Sequence, residues 1–200
     1  MAHKNKPVSV KIMVSDAVKI VAALLAGAVV LVVSIIAYDH FELKAKEDNI
    51  EEKTAKAIRN IFPDAEKIEN MDDGTVFKVT NISGEFSGYA FTAKSNGYQS
   101  TIKLLAGVSP DLVKILGVEV LASQETPGLG AEITTDRFRA QFKGLSAEGP
   151  IECVRGTKPE SPRQIQAITG ATISSQAVVD AINKKVEILR NSKRYKLSGA

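Results

Sequence analysis

The strongest constraint on this chain is an uncharged apolar run near its start, Ile20–Ala37, built only from Ile, Val, Ala, Leu, Gly and Ser. With the residues on either side, the run approaches the roughly 20 residues that a helix needs to cross a bilayer. The long stem of Lys19 can reach one membrane interface, and Tyr38 can lie at the other. The pattern therefore predicts a single transmembrane helix over residues 17–38.

Two other interpretations of this run fit less well. A cleaved signal peptide has an apolar core of about 7–15 residues that ends in small residues at a cleavage site. This run is longer and ends Ile35-Ile36-Ala37-Tyr38. A helix in the core of a modest domain is expected to be apolar on one face, whereas this one is apolar on every face. We therefore expect a retained anchor.

Basic residues set the predicted orientation of the anchor. An excess of lysine marks the cytoplasmic side of a span, and the lysines before this run slightly outweigh those that follow within reach. We therefore expect residues 1–16 in the cytoplasm and the main domain on the extracytoplasmic side. The residues counted are Lys4, Lys6, Lys11 and Lys19 before or at the start of the span, and Lys44, Lys46 and Lys53 after it.

After the anchor we predict a charged connecting helix and then one domain. Residues 39–62 are rich in charge, and an apolar stripe that includes Ile50, Ala57 and Ile61 recurs on one helical face. Pro63 ends this helix, since the residue before a proline avoids the helical region. The domain that remains covers residues 63–200.

The first half of this domain has the pattern of an antiparallel sheet. Apolar segments alternate with turn signals rich in Asn, Asp, Gly and Ser. The predicted fold class is therefore α+β, with an antiparallel sheet flanked by helices. Predicted strands cover residues 76–79, 85–93, 98–105 and 112–121, and predicted turns cover residues 70–74, 81–84, 94–97 and 107–111.

The second half contains a bent loop, a short helix and a long terminal helix. Pro127-Gly128 and Gly130 bend the loop Gln124–Ile133 in a way that few other residues could follow. Apolar residues repeat at helical spacing along Gln176–Leu189. Other predicted elements are a short helix at residues 137–142 with Phe138 and Phe142 on one side, a short strand near residues 151–154, and a strand end at residues 165–168.

A turn rich in small residues, Thr169–Ser175, joins the last strand to the terminal helix. Gly170 permits backbone angles closed to other residues, and Ala171 leaves room for a ligand. Ser174 and Ser175 can cap the helix start. A helix N-terminus is also a natural phosphate site. On this physics alone, helix capping is the simpler interpretation, and a phosphate site is the alternative.

Composition excludes several classes of function. The net charge is only +3 and no long basic run occurs, so nucleic-acid binding is not expected. Cys153 is the only cysteine, so the chain can form neither an internal disulfide nor a cysteine-ligated iron–sulfur cluster by itself. His3 and His40 lie far apart in sequence, which argues against a histidine metal site. We identify no catalytic residues and no metal ligands.

The anchor, the sheet, the loop Glu-Thr-Pro-Gly-Leu-Gly and the turn Thr-Gly-Ala-Thr occur in a specific order. In this combination the chain resembles the G subunit of the Rnf electron-transport complex, whose flavin-binding domain is shared with the C subunit of the Na⁺-translocating NADH:quinone reductase. The resemblance implies FMN joined by a phosphoester to Thr172, attached by a flavin transferase that uses FAD. It also implies two groups of cofactor-binding residues: Thr169, Gly170, Ala171 and Ser175 in the attachment turn, and Glu125, Thr126, Gly128, Leu129 and Gly130 in a loop that lines the flavin.

The same resemblance implies a function. The protein would relay electrons between other membrane and peripheral subunits of a ferredoxin:NAD⁺ oxidoreductase coupled to Na⁺ or H⁺ movement, with the FMN domain on the extracytoplasmic side of the cytoplasmic membrane. One departure is Gln166, which stands where family members often have an aspartate. The alternatives are the C subunit of the quinone reductase and an anchored sensor or binding domain without a cofactor, in which the turn only caps a helix.

Overall fold

The computed structural model describes residues 52–72, 74–192 and 195, with further helical positions at residues 19, 21, 24, 25, 27 and 31–34. The chain divides into two compact units, and the boundary lies between residues 51 and 52. Most of the predicted span 17–38 and the first part of the predicted connecting helix lie outside the described residues, and the membrane helix stays a prediction. Among the described residues, no helix combines the length and the apolar character that a membrane crossing needs.

A five-stranded antiparallel sheet forms the centre of the second unit and confirms the α+β class. The strands are neighbours in chain order, from β1 at one edge to β5 at the other. Apart from β1, each corresponds to a predicted strand with shifted bounds. They cover β1 Ala65–Asp72, β2 Val76–Asn81, β3 Phe86–Asn96, β4 Thr101–Val108 and β5 Ile115–Ala122.

Two helices cover the two faces of this sheet. Successive residues of a strand point to opposite faces. In β3, Tyr89 and Phe91 join a core with the terminal helix α3 (Thr172–Asn191), whereas Ala90 between them joins a second core with Ile58 of helix α1 (residues 52–61). Because both faces are buried, the central strands read as nearly continuous apolar runs.

Glycines in the sheet allow α1 to approach closely. A Cβ atom on Gly107 would lie 2.5 Å from Cγ2 of Ile61 and 2.9 Å from Cε2 of Phe62. Helix α1 ends at residue 61 as predicted, and the Phe62 N–H donates to the Ile58 carbonyl at 2.8 Å before Pro63. The end of α1 therefore rests on the backbone of β4 at a position without a side chain.

The rest of the domain joins the sheet to α3. After β5 come a 3₁₀ turn, Gly130–Thr134, a one-turn helix α2, Asp136–Arg139, and a second 3₁₀ turn, Ala140–Phe142. The rings of Phe138 and Phe142 pack edge to face with centroids 5.4 Å apart, which agrees with the predicted short helix. Strands β6, Glu152–Val154, and β7, Gln164–Gln166, then pair in parallel as a separate small sheet, near the two predicted positions.

The first predicted turn, residues 70–74, is displaced: its first residues belong to an edge strand, and the reversal lies between β1 and β2, where the Thr75 N–H donates to the Asp72 carbonyl at 2.7 Å. Asn70 and Asp72 are part of β1, which the sequence pattern did not predict. Edge strands of this kind carry charged side chains along the unpaired edge, and Glu66, Lys67 and Asn70 are exposed. The alternation of apolar and polar residues that identifies a half-buried strand is therefore weak in this segment.

The predicted hairpin turn at residues 94–97 was also displaced. Lys94 to Asn96 continue β3, and the reversal occurs at residues 97–100, where the Gly97 N–H donates to the Ser100 carbonyl at 2.8 Å. Tyr98 is thus in the turn rather than in the following strand. The end of β4 is shifted likewise, since Gly107 and Val108 remain in the strand, and β5 begins at Ile115 rather than Leu112.

A methyl group at residue 107 should destabilise the domain. Gly107→Ala would push the end of α1 away from the sheet, and we expect a loss of about 1–3 kcal/mol in the free energy of unfolding, measured by urea denaturation of the full chain. Gly117→Ala is the matched control, because a Cβ atom at residue 117 would lie 3.3 Å from the Ile61 side chain. This variant should lose less free energy of unfolding than Gly107→Ala. Equal losses in the two variants would contradict this account.

Candidate functional site

One cleft of about 460 Å³ brings together the two segments that the sequence singles out. It lies between the turn at residues 97–100, the loop after β5 and the start of α3. The cleft therefore combines segments that are up to about 75 residues apart in the chain, a separation that local sequence patterns do not encode. Its lining residues are Tyr98, Glu125, Thr126, Leu129, Gly130, Gly170, Ala171, Thr172, Ile173 and Ser174.

The carboxylate of Glu125 holds these three segments together. Its Oε1 atom accepts hydrogen bonds from the backbone N–H of Gln99 at 3.0 Å and of Ser100 at 2.9 Å, and from the Ser100 hydroxyl at 3.3 Å. Its Oε2 atom accepts from the Tyr98 N–H at 3.1 Å and from the Ser174 hydroxyl at 2.6 Å. The side chain is only 6% exposed, so these bonds replace its hydration.

Two glycines make room for this carboxylate. A Cβ atom on Gly97 would lie 2.5 Å from Oε1 of Glu125, and one on Gly130 would lie 2.7 Å from Oε2 and 2.6 Å from the Ser174 hydroxyl. Neither position could carry a side chain without moving the network. Gly97 in the turn and Gly130 in the loop therefore have a packing reason to be glycine, whereas Gly128 in the same loop has open space around it and a φ of +72°.

The hydrogen bonds keep Glu125 ionised. Burial by itself raises the pKa of a carboxyl group, because it disfavours the charged form. Here the bonds from Ser174, Ser100, Gln99 and Tyr98 outweigh that effect and hold the pKa of Glu125 below its ordinary value. The loop is thus built around a buried negative charge.

The terminal helix begins earlier than predicted, which changes the roles of its serines. Helix α3 starts at Thr172, and the N-cap residue is Ala171, which has no side-chain cap. The prediction that Ser174 and Ser175 cap the helix was therefore wrong. Ser174 instead bonds to Glu125, while the Ser175 hydroxyl donates to the Ala171 carbonyl at 2.9 Å and accepts from the Ile168 N–H at 3.0 Å.

The turn before α3 has the conformation that its glycine predicts. Gly170 has a φ of +82°, a value that L residues with a side chain rarely adopt. The Ala171 N–H closes the turn on the Ile168 carbonyl at 2.9 Å. A Cβ atom on Gly170 would lie 3.1 Å from Cδ2 of Leu129, so the turn and the loop meet here.

Seven of the ten predicted cofactor-binding residues line the cleft, and three do not. Thr169 is exposed and lines a neighbouring cleft together with Gln166, Gly128 occupies an exposed turn with a φ of +72°, and Ser175 is fully buried. The seven that line the cleft are Glu125, Thr126, Leu129, Gly130, Gly170, Ala171 and Thr172.

Three lining residues were missed by the sequence analysis: Tyr98, Ile173 and Ser174. Tyr98 was assigned to a strand, where its side chain would have been counted as part of the sheet. Ile173 lies outside the apolar face of the terminal helix. Its position could have identified it from sequence, since a large apolar residue on the polar face of a helix indicates a contact other than the core.

The rim of the cleft is apolar. Tyr98 is 72% exposed, Ile173 is 54% exposed and Leu129 is 45% exposed. They are three of the five large apolar side chains that are exposed in the described part of the second unit, the others being Ile82 and Ile188. A concentration of this kind around one cleft is typical of a ligand site.

Thr172 faces this cleft from the first residue of α3. Its side chain is half-buried, and no described residue hydrogen-bonds to it. The first N–H groups of a helix lack intrahelical partners and carry partial positive charge, so a phosphate on this hydroxyl is compatible with its surroundings. A flat aromatic ring is compatible with the rim. The residues present thus fit a flavin nucleotide bound through its phosphate.

The fold and the cleft define a flavin-binding domain, and comparisons with known proteins agree. Residues 97–187 match the FMN-binding domain family. The chain is 40% identical over 146 residues to the G subunit of the ion-translocating oxidoreductase complex of Methanosarcina acetivorans, covering 68% of this chain and 74% of that protein. It is 35% identical over 151 residues to the G subunit of the Na⁺-translocating ferredoxin:NAD⁺ oxidoreductase complex of Acetobacterium woodii. That match covers 75% of this chain and 72% of that protein. The chain belongs to this G-subunit family, which confirms the resemblance.

A solved structure extends the comparison to the fold. The crystal structure of NqrC from Shewanella oneidensis superposes with a TM-score of 0.52 and 29% sequence identity. The match covers 56% of this chain and 54% of that one, so it spans about half of the NqrC chain. The fold of the matched part is therefore common to both chains.

Replacing the buried carboxylate should destabilise the domain in a pH-dependent way. The amide of Glu125→Gln cannot accept all of the hydrogen bonds, and a buried donor left unpaired costs about 1–3 kcal/mol. Because the folded pKa of Glu125 is lowered, its contribution is present above the unfolded pKa of about 4.3 and is lost as the pH falls through the folded pKa. The measurement is urea denaturation of wild type and variant between neutral and acidic pH.

The matched control for this prediction is Glu132→Gln, which also neutralises a carboxylate, in a half-buried residue of the same loop region that accepts no such set of bonds. We expect it to have little effect on stability. A difference between wild type and Glu125→Gln that stays constant down to the lowest pH would contradict a role for the charged form.

Proposed function

We propose that this chain is the flavin-carrying G subunit of an Rnf-type ferredoxin:NAD⁺ oxidoreductase that moves ions across a membrane. It relays electrons through FMN joined covalently to Thr172. The observation that carries the proposal is the single cleft in which the Thr172 side chain, the Glu125–Gly130 loop and the apolar rim meet. Membership of the G-subunit family supports the assignment to this complex.

Thr172 has the surroundings that an attachment residue needs. It lies at a helix N-terminus and lines an open cleft. The Ser175 hydroxyl, which could have competed for a phosphate, is instead bonded to the Ala171 carbonyl and the Ile168 N–H. Ser174 is likewise engaged by Glu125. Of the hydroxyls at the start of α3, Thr172 is therefore the one available for modification.

Attachment is a phosphoryl-type transfer from FAD carried out by a separate flavin transferase. The Thr172 hydroxyl oxygen bonds to the phosphorus of the FMN half of FAD. The bond between that phosphorus and the bridging oxygen breaks, AMP leaves with the electron pair of that bond, and the hydroxyl proton passes to the solvent. No oxidant or reductant is consumed. The covalent tether keeps the cofactor in place, so one side of the cleft can stay open to other redox carriers.

The protein contributes binding and electrostatics, while the bound flavin supplies the electron-transfer chemistry. Tyr98, Leu129 and Ile173 provide apolar surface for the ring, and the start of α3 accommodates the phosphate. The partners are the other membrane and peripheral subunits of the complex, one donating and one accepting electrons. Helical positions near the N-terminus with exposed apolar side chains, among them Val21, Leu24 and Leu31, support a membrane anchor. The excess of lysines before the apolar run favours the FMN domain on the extracytoplasmic side.

Purified protein from a host that has the flavin transferase should carry FMN on Thr172. We expect the intact mass to exceed the sequence mass by one FMN less one water, and the denatured gel band to fluoresce, because the bond survives unfolding. Thr172→Ala should abolish both signals, since it removes the only atom through which the phosphate is tied.

Thr157→Ala is the matched control, because it removes an exposed threonine hydroxyl outside the cleft. This variant should keep the fluorescent band. A Thr172→Ala protein that remains fluorescent after denaturation would contradict the assignment, and a peptide mass spectrum would then locate the modified residue.

The predicted anchor can be tested by deletion. Removing residues 2–38 should move the protein from the membrane fraction to the soluble fraction, because the apolar run provides its attachment to the bilayer. Washing the membranes with alkaline carbonate should leave the full-length chain in the pellet. A deleted chain that still sediments with membranes in cells lacking the other subunits would refute the anchor.

A second candidate is the C subunit of a Na⁺-translocating NADH:quinone reductase, which the likeness to the NqrC structure favours. The two candidates differ in the reaction that the whole complex catalyses. Isolation of the complex through a tagged form of this chain, followed by assays of NAD⁺ reduction by ferredoxin and of quinone reduction by NADH, distinguishes them. A third candidate, a cofactor-free sensor, requires a colourless protein even when the transferase is present.

A further inference from the structure

We propose that the buried carboxylate of Glu125 lowers the reduction potential of the flavin held in this cleft, in addition to ordering the loop. The inference rests on the proposed function, since it concerns the same site. It assigns to Glu125 an electrostatic role toward the cofactor that differs from direct contact with it.

The hydrogen-bond network around Glu125 carries a net negative charge. The five hydrogen bonds to Glu125 come from three backbone N–H groups and two hydroxyls, none of which carries a positive charge. The residues that line the cleft include this one carboxylate and no lysine or arginine. Hydrogen bonds from neutral groups reduce the field of an anion but leave its net charge in place.

The carboxylate of Glu125 is ionised at neutral pH. Its hydrogen bonds hold the pKa of Glu125 below the ordinary value in spite of burial. The site therefore contains a full negative charge under physiological conditions, rather than a neutral acid that donates a proton.

The carboxylate of Glu125 lies directly beside the cleft. Gly130 lines the cleft, and a Cβ atom at that position would lie 2.7 Å from Oε2 of Glu125, so no side chain at residue 130 separates the carboxylate from the cleft. Charges interact more strongly where water is excluded, and salt screens buried charges less than exposed ones. Adding an electron to a ring in this cleft therefore brings negative charge toward an existing negative charge. The reduced form is disfavoured and the potential falls.

Redox titration of the full-length flavoprotein tests this inference. Glu125→Gln should shift the midpoint potential to a more positive value. A tenfold change in the ratio of oxidised to reduced flavin at fixed potential, which corresponds to about 30 mV for a two-electron couple, is the expected scale. The visible spectrum and the gel fluorescence of the same samples report whether FMN is attached.

Two controls separate charge from structure. Ser174→Ala removes the 2.6 Å hydrogen bond but keeps the carboxylate, so the anion is less well compensated and the potential should become more negative. Glu132→Gln neutralises a carboxylate outside this cleft, and it should move the potential much less. If Glu125 had a purely structural role, the midpoint potentials of Glu125→Gln and Ser174→Ala would shift in the same direction, because both substitutions loosen the loop.

The outcomes are distinct. A positive shift of the midpoint potential in Glu125→Gln together with a negative shift in Ser174→Ala supports the inference. A shift of the same sign in both, or a Glu125→Gln shift no larger than that of Glu132→Gln, overturns it. If Glu125→Gln does not retain flavin, Ser174→Ala decides alone: a negative shift supports the inference, and a positive shift or none overturns it. A wild-type protein without FMN contradicts the proposed function itself.

Discussion

The functional half of this domain depends on one buried carboxylate. Glu125 accepts hydrogen bonds from the turn between β3 and β4 and from Ser174 near the start of α3, and it belongs to the loop after β5. A buried charge is costly unless every lone pair is satisfied, so the three segments have one favourable arrangement. The cleft in front of Thr172 is the space that this arrangement leaves.

The sheet supplies the frame in which that network can form. Its order follows the chain, so the β3–β4 turn is carried by central strands that are buried on both faces. Helix α3 packs on one face through a core that includes Tyr89 and Ile182, and α1 packs on the other where Gly107 lacks a side chain. The positions of the turn and of the helix start are thus fixed by cores that contribute nothing to the cleft itself.

Prediction from sequence succeeded where the signal was local. The turn conformation of Gly170, the end of α1 before Pro63 and the apolar face of α3 each follow from residue chemistry within a few positions. It failed at β1, because exposed polar residues on this edge strand weaken the alternation of apolar and polar residues. It also failed at the β3–β4 turn, where Lys94–Asn96 remain paired with β4. Strand ends depend on pairing partners, which a single segment does not reveal.

Apart from β1, the sequence by itself determined the order of the elements, the α+β class and the two segments of the site, because turn residues and helical periodicity are properties of short stretches. Only the tertiary structure decided that Glu125 bonds to Ser174, that Ser175 serves the turn rather than a cap, and that Tyr98 joins the rim. The bonds of Glu125 to Ser174 and to the Tyr98 N–H join residues far apart in the chain, whereas those of Ser175 depend on the conformation of the turn at Gly170. The bonds of Glu125 form only once the sheet has placed the β3–β4 turn and α3 beside the loop.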